Sequence, residues 1–288
     1  MHTHLLTSGC SFSETVYFMN TPYGLVDQSH FNGEVKAELQ KVLDHGPDQK
    51  ERYIRCGSWV PFLAIELDIP LDRTTNYAMG SQGNQMIARG IVHGVEELLS
   101  NGVPTKDILV GAQWSGISRG CVYSSDADPE YENNIKGWMS NPVQLFTEQN
   151  SLMGWKIFNQ HWDHTDSNDY YKVFNELSTF AIETAERIHW VQEYLNSKGI
   201  DYFFTNMSQT ASIFGSDVDN ISDNHVRKTI ELVDRSKFIS DRQGIAEWQA
   251  LYLEEPSMID KHPTPYSSYM YVKDQILPYL ANNNLIHT

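Results

Sequence analysis

The chain has 288 residues, with 37 acidic against 21 basic side chains and a formal net charge of −16. That length suits one large α/β unit. That sign is wrong for a protein that grips nucleic acid or an anionic membrane, since both call for a positive surface.

Hydrophobic residues at 40% and charged residues at 20% fit a soluble globular chain. Cys10, Cys56 and Cys121 are odd in number and widely spaced, so they set out neither a disulfide framework nor a zinc pattern. A reducing compartment follows as the expected place of folding. Residues 1–6 lack the basic and long apolar regions of a signal peptide, and no apolar run reaches about 18 residues, so a cytoplasmic chain without a membrane span is expected.

In chain order, Leu5-Leu6-Thr7-Ser8-Gly9-Cys10-Ser11 reads as a first strand ending in a tight turn. The turn presents Ser11 at the carboxyl end of the strand, where open α/β sheets bind ligands. Gly9 is expected to supply a backbone angle that other residues adopt at a cost. Ser11 would then open a helix, its hydroxyl placed to attack an acyl carbon and nearby N–H groups placed to hold an oxyanion. The plainer alternative is an N-capping serine.

The patterning predicts a short helix over 34–43 and another over 57–67, with Pro61 in its first turn. Residues 74–79 read as a second strand running into Gly80-Ser81-Gln82-Gly83-Asn84. From Asn84, Ile87, Ile91, Val95 and Leu98 recur at helical spacing, and Gly90 and Gly94 imply close packing against a sheet. Asn101-Gly102 ends that helix, and residues 107–112 form a buried strand that delivers Gln113-Trp114-Ser115-Gly116-Ile117-Ser118-Arg119. Residues 120–170 read as an insertion over the sheet edge, built with short helices. Within it, His161, Asp163 and His164 are metal-ligand types, but their spacing matches no standard site. A long helix spans 174–195, stopped by Gly199, and residues 200–207 form another buried strand. Residues 219–244 are charged without clear periodicity. A last helix opens at about Thr264, with Pro265 first, and runs to Leu280. No repeat or low-complexity linker divides the chain, so a single domain over 1–288 is expected.

Just before that last helix stands Asp260-Lys261-His262-Pro263. A loop histidine with a nearby carboxylate is the base-plus-orienter half of a Ser-His-Asp arrangement. Gly9-Cys10-Ser11-Phe12-Ser13 resembles the first block of the SGNH (GDSL-type) hydrolases, Gly-Asp-Ser-Leu/Ile-Ser. Asp260-Lys261-His262 resembles their last block, and Gly80 to Asn84 looks like their second. Cys10 stands where that family has Asp, one residue rather than two separates Asp260 from His262, and Gln113-Trp114-Ser115 replaces the third block, Gly-x-Asn-Asp.

The resemblance implies a three-layer α/β/α, flavodoxin-like fold with a mostly parallel sheet of about five strands. It implies an ester hydrolase in which Ser11 attacks, His262 moves the proton and Asp260 orients the imidazole. The oxyanion hole would draw on the N–H of Ser11, on Gly80 or Gly83, and on one of Asn84, Ser115 and Gln113, with Ser115 preferred because its loop takes the third block's place. No metal or organic cofactor is implied. The acidic charge and the aromatic-rich insertion, with Trp138, Trp155 and Trp162, turn the expected substrate towards an O-acetylated glycan rather than a lipid. Similar chains in phage and bacterial polysaccharide-modifying systems make a virion-associated setting an alternative to a free cytoplasmic one. Two rivals stand beside the esterase: a non-catalytic glycan-binding or virion structural module on a decayed SGNH fold, and a metal-dependent hydrolase using His161, Asp163 and His164.

Overall fold

The computed structural model describes residues 2–13, 58–78, 82–123, 155–158, 165–174, 176–240, 243–252, 263 and 265–286. The chain enters as β1 (His4–Ser8), and the next described elements are α1 (Trp59–Glu66) and β2 (Thr74–Asn76). Then come α2 (Asn84–Ser100) and β3 (Ile108–Trp114). A ribbon of β4 (Gly120–Tyr123) and β5 (Trp155–Phe158) precedes α3 (Thr165–Phe174) and α4 (Leu177–Lys198). After β6 (Asp201–Asn206) follow α5 (Ser216–Asp219), α6 (Asn224–Glu231) and α7 (Ile245–Tyr252). The last stretch is α8 (Pro265–Tyr271), a π turn (Val272–Ile276) and α9 (Leu277–Asn282).

Four strands form one open sheet in the order β2-β1-β3-β6, and every pairing is parallel. Leu5 pairs with Thr74, Ser8 with Ala112, and Trp114 with Asn206. The order reverses at β1: the chain steps to β2 on one side, then to β3 on the other. In sheets wound this way, ligands bind outside the carboxyl ends of the strands at that switch point.

Successive strand residues point to opposite faces, and both faces are covered. Leu5, Leu109 and Phe203 pack with Trp59, Phe62 and Leu63 of α1, Trp248 of α7 and Tyr271 of α8. Leu6, Val110 and Phe204 pack with Ile87, Ile91 and Val95 of α2, Ala181 and Ile188 of α4 and Val226 of α6. The helical stripe expected from Asn84 is therefore the buried stripe of α2. Its glycines bring it close to the sheet: a Cβ at Gly94 would lie 2.5 Å from Leu6 Cδ1 and 2.6 Å from Tyr77 Cε2. Gly199 ends α4 with φ 65°, a left-handed cap that glycine takes without strain. Among the described residues no helix is long and apolar enough to cross a membrane.

Several expectations are amended. Among the described residues the sheet has four strands where about five were expected, and a single parallel bridge between Phe204 and Phe238 takes the next position. The expected second strand stops at Asn76, whose side-chain Oδ1 accepts from Ala78 N–H at 3.0 Å and turns the chain away. The 120–170 stretch contains the antiparallel β4–β5 pair, with Cys121 opposite Ile157, and not only short helices. Residues 219–244 hold α6 and a 3-10 turn at Arg235–Lys237, with α5 ending at Asp219 and α7 following. The last helix carries a full π turn in its middle. The helix expected over 34–43 lies outside the described residues.

Candidate functional site

Cys10 O accepts from Ser13 N–H at 2.9 Å, which closes a four-residue turn with Ser11 at its second position. The turn sits directly beyond β1, at the carboxyl edge. Ser11 is 5% exposed. The described residues give Ser11 a hydrogen-bonded turn; the helix expected to open there would continue outside the described residues.

Ser13 is what holds this turn. Its hydroxyl accepts from Trp59 Nε1–H at 2.8 Å and donates to Gln113 Oε1 at 2.8 Å. Its carbonyl accepts from Asn76 Nδ2 at 2.7 Å and from Ser58 Oγ at 3.0 Å. Asn76 is itself fixed by Thr7, whose hydroxyl donates to Asn76 Oδ1 at 2.9 Å. The turn is thus tied to β1, β2, β3 and the start of α1 by buried side chains. Cys10 Sγ adds a longer bond to Gln113 Oε1 at 3.5 Å.

Gly9 is not left-handed; among the described residues the left-handed glycines are Gly102 and Gly199. Space, not backbone angle, requires glycine there. A Cβ at Gly9 would lie 2.5 Å from Ser13 Oγ and 3.1 Å from Gln113 Cβ.

On the next loop, Asn84 and Ser115 clasp each other. Asn84 Oδ1 accepts from Ser115 N–H at 2.8 Å, and Asn84 Nδ2 donates to Ser115 O at 3.1 Å and to Thr184 Oγ1 at 3.2 Å. Both amide hydrogens of Asn84 are therefore committed. Ser115 Oγ accepts from Arg119 Nη1 at 2.9 Å. Gly83 is the N-cap of α2 with φ −84°, and a Cβ there would lie 2.6 Å from Arg119 O.

Gln113 is different. It is fully buried, its carbonyl oxygen has two donors, and its Nε2 has no hydrogen-bond partner. Of the six buried, unpartnered side-chain polar atoms found among the described residues, five belong to Ser8, Gln82, Gln113 and Trp114. Ser8 ends β1, Gln113 and Trp114 end β3, and Gln82 precedes the cap of α2. A buried polar atom without a partner costs about 1–3 kcal/mol, and such atoms ask for a functional explanation. Here they gather on the segments that flank the switch point.

The structure thus brings Ser11 and Gln113 together through Ser13 and Cys10, and sets Gly83, Asn84 and Ser115 together one loop away. Gly80, Asp260 and His262 lie outside the described residues, as do His161, Asp163 and His164. Among the described residues no group of three metal-ligating side chains occurs. Sequence reasoning missed Ser13, Ser58, Trp59 and Asn76. The signal available was the second serine of Ser11-Phe12-Ser13; nothing in the sequence marked the others as its partners.

Fold and site together define an open parallel α/β protein that presents a clamped serine turn at its switch point. No protein-family model matches the chain, and no curated protein matches it.

Proposed function

We propose that the protein is a serine ester hydrolase of the SGNH type, acting on an O-acetylated carbohydrate. The observation that carries this reading is the Ser11 turn: a hydroxyl at the carboxyl end of the central strand, held by four buried side chains that meet on Ser13. A stable strand end needs no such clamp, whereas a nucleophile needs a fixed position to within a fraction of an ångström.

In this mechanism Ser11 Oγ attacks the acyl carbon and His262 takes its proton. The proton passes to the leaving alcohol, and water, activated by the same histidine, releases the acid from Ser11. Asp260 holds the imidazole in the working tautomer. The oxyanion is met by the Ser11 N–H, by a glycine N–H of the 80–83 turn, and by a side-chain amide. Gln113 is the better choice for that amide than Ser115 or Asn84. Its Nε2 is a donor without a partner, while Asn84 is committed to Ser115 and Thr184. The chemistry so written runs on protein groups alone.

The test is Ser11→Ala with an aryl acetate as substrate. Loss of a nucleophile in such a triad removes about 10⁴-fold or more of kcat, with the fold retained by circular dichroism. Turnover in Ser11→Ala equal to that of the parent ends this reading.

A further inference from the structure

Arg119 is the last residue of the loop that follows β3, on the strand next to the one that carries Ser11. The loop is pinned along its length. Ser115 is clasped by Asn84, Ile117 N–H donates to Ala211 O at 3.0 Å, the Tyr171 hydroxyl donates to Ser118 O, and Arg119 N–H donates to Gly116 O at 3.1 Å. The Arg119 backbone also lies against Gly83, at the start of α2.

The guanidinium on this rigid loop is half-buried. It has five N–H donors in a fork suited to a carboxylate, and among the described residues its one side-chain bond is to Ser115 Oγ. No ion pair among the described residues includes it. In a chain with 37 acidic side chains, a carboxylate partner would be easy to recruit. Beside it, Gln82 is fully buried with neither amide atom partnered, on the residue before the Gly83 that touches Arg119.

We infer that Arg119 is a carboxylate-reading residue, so that the substrate is an ester carrying a carboxylate, such as an O-acylated uronate. This rests on the esterase reading for the word ester; the anion site stands on its own. With a net charge of −16, the protein repels anions at long range, and that repulsion is screened beyond about 10 Å in 0.1 M salt. Recognition of a carboxylate then falls to a local, preorganised cation. A guanidinium already held in place loses little freedom on binding.

The experiment titrates free glucuronate and, separately, free glucose into the full chain by calorimetry. The parent binds glucuronate in preference to glucose by about 10- to 100-fold, the range of a charge-assisted bidentate contact. Arg119→Gln abolishes the preference, and Arg119→Lys keeps part of it, because charge survives and the fork does not. Where Arg119→Gln does not fold, protection of Arg119 from phenylglyoxal by glucuronate, and not by glucose, is read on the native protein by peptide mass spectrometry. Equal affinity for the two sugars in the parent, including none for either, overturns the inference. So does a preference that survives in folded Arg119→Gln, or a lack of protection. In parallel, 4-nitrophenyl acetate, 4-nitrophenyl hemisuccinate and O-acetylglucuronate are assayed as esters. Faster turnover of the hemisuccinate assigns the carboxylate to the acyl side, and faster turnover of O-acetylglucuronate assigns it to the alcohol side. Absence of any turnover together with Arg119-dependent glucuronate binding sinks the esterase reading and leaves the anion site standing.

Discussion

Ser13→Ala isolates the clamp beneath Ser11 without touching the proposed nucleophile. Ser13, Trp59 and Gln113 are all fully buried, so water does not replace the lost hydroxyl. Trp59 Nε1–H loses its acceptor at 2.8 Å and becomes a buried, unpartnered donor, at about 1–3 kcal/mol. Gln113 Oε1 loses its 2.8 Å donor but keeps the weak Cys10 thiol at 3.5 Å, so its share is smaller, about 1 kcal/mol. The backbone carbonyl of residue 13 keeps both of its donors. The sum, about 2–4 kcal/mol, is a large part of the roughly 5–15 kcal/mol that holds a typical domain together. At about 2–4 °C per kcal/mol for chains somewhat shorter than this one, Tm falls by about 4–16 °C. Differential scanning calorimetry and urea melts measure it. Because the turn carries Ser11, kcat towards an aryl acetate falls by about 10²-fold with KM little moved, as for a displacement of about 1 Å. A Tm within about 1 °C of the parent, with kcat unchanged, refutes the assignment of Ser13 as the residue that holds the turn.

Two further outcomes concern pH. On the proposed mechanism, a histidine acting as general base gives kcat/KM an acid limb that rises through roughly pH 6–7, and His262→Ala removes the limb with most of the rate; a flat profile counts against it. The second concerns stability: burial, helped by the Arg73 charge, holds the His4 pKa below its ordinary 6.5. The unfolded chain therefore binds this proton first. The contribution of His4 is present above pH 6.5 and is lost as pH falls through the lower folded value. Thermal melts between pH 7.5 and about 5 show a smaller acid drop in Tm for His4→Gln than for the parent, and identical drops contradict the shift.

The fold was legible where one element writes its own pattern. The stripe Ile87, Ile91, Val95 and the Asn101-Gly102 stop mark α2, and Gly199 marks the end of α4, because helical periodicity and capping are local. Residues 107–112 read as a strand because both faces of β3 are buried and its run from Ile108 to Ala112 carries no polar side chain. The β4–β5 pair was not legible. Each strand has four residues, and Cys121 meets Ile157 across a long stretch of chain, so no nearby residue records the pairing. The same holds within the site. Ser11 stood out because a serine after Gly9 at a strand end has a recognisable shape. Trp59 and Asn76 did not, because only the tertiary fold brings them to Ser13, from 46 and 63 residues away. Its place in the loop favours Ser115 over Gln113 in the sequence, and the clasp with Asn84 cannot be read from either residue alone.

The polarity of the bonds beneath Ser11 settles which end of Gln113 is left over. An indole N–H only donates, so the Ser13 hydroxyl must accept from Trp59. Its own hydrogen then needs an acceptor, and the Gln113 carbonyl oxygen is the one at 2.8 Å. Reversing the amide would set an N–H₂ group against that hydroxyl and against the Cys10 thiol, leaving the serine and cysteine hydrogens without acceptors and the Gln113 oxygen without a donor. The direction Trp59 to Ser13 to Gln113 therefore fixes the amide with its oxygen inward, and the unpartnered atom is the donor Nε2. A leucine at this position would fill the space at the end of β3 at the cost of the bonds from Ser13 and Cys10. Kept as it is, Gln113 holds a preoriented donor at the end of β3, bonded to the turn that carries Ser11; on the proposed mechanism that is the kind of group a developing negative charge on an acyl oxygen requires.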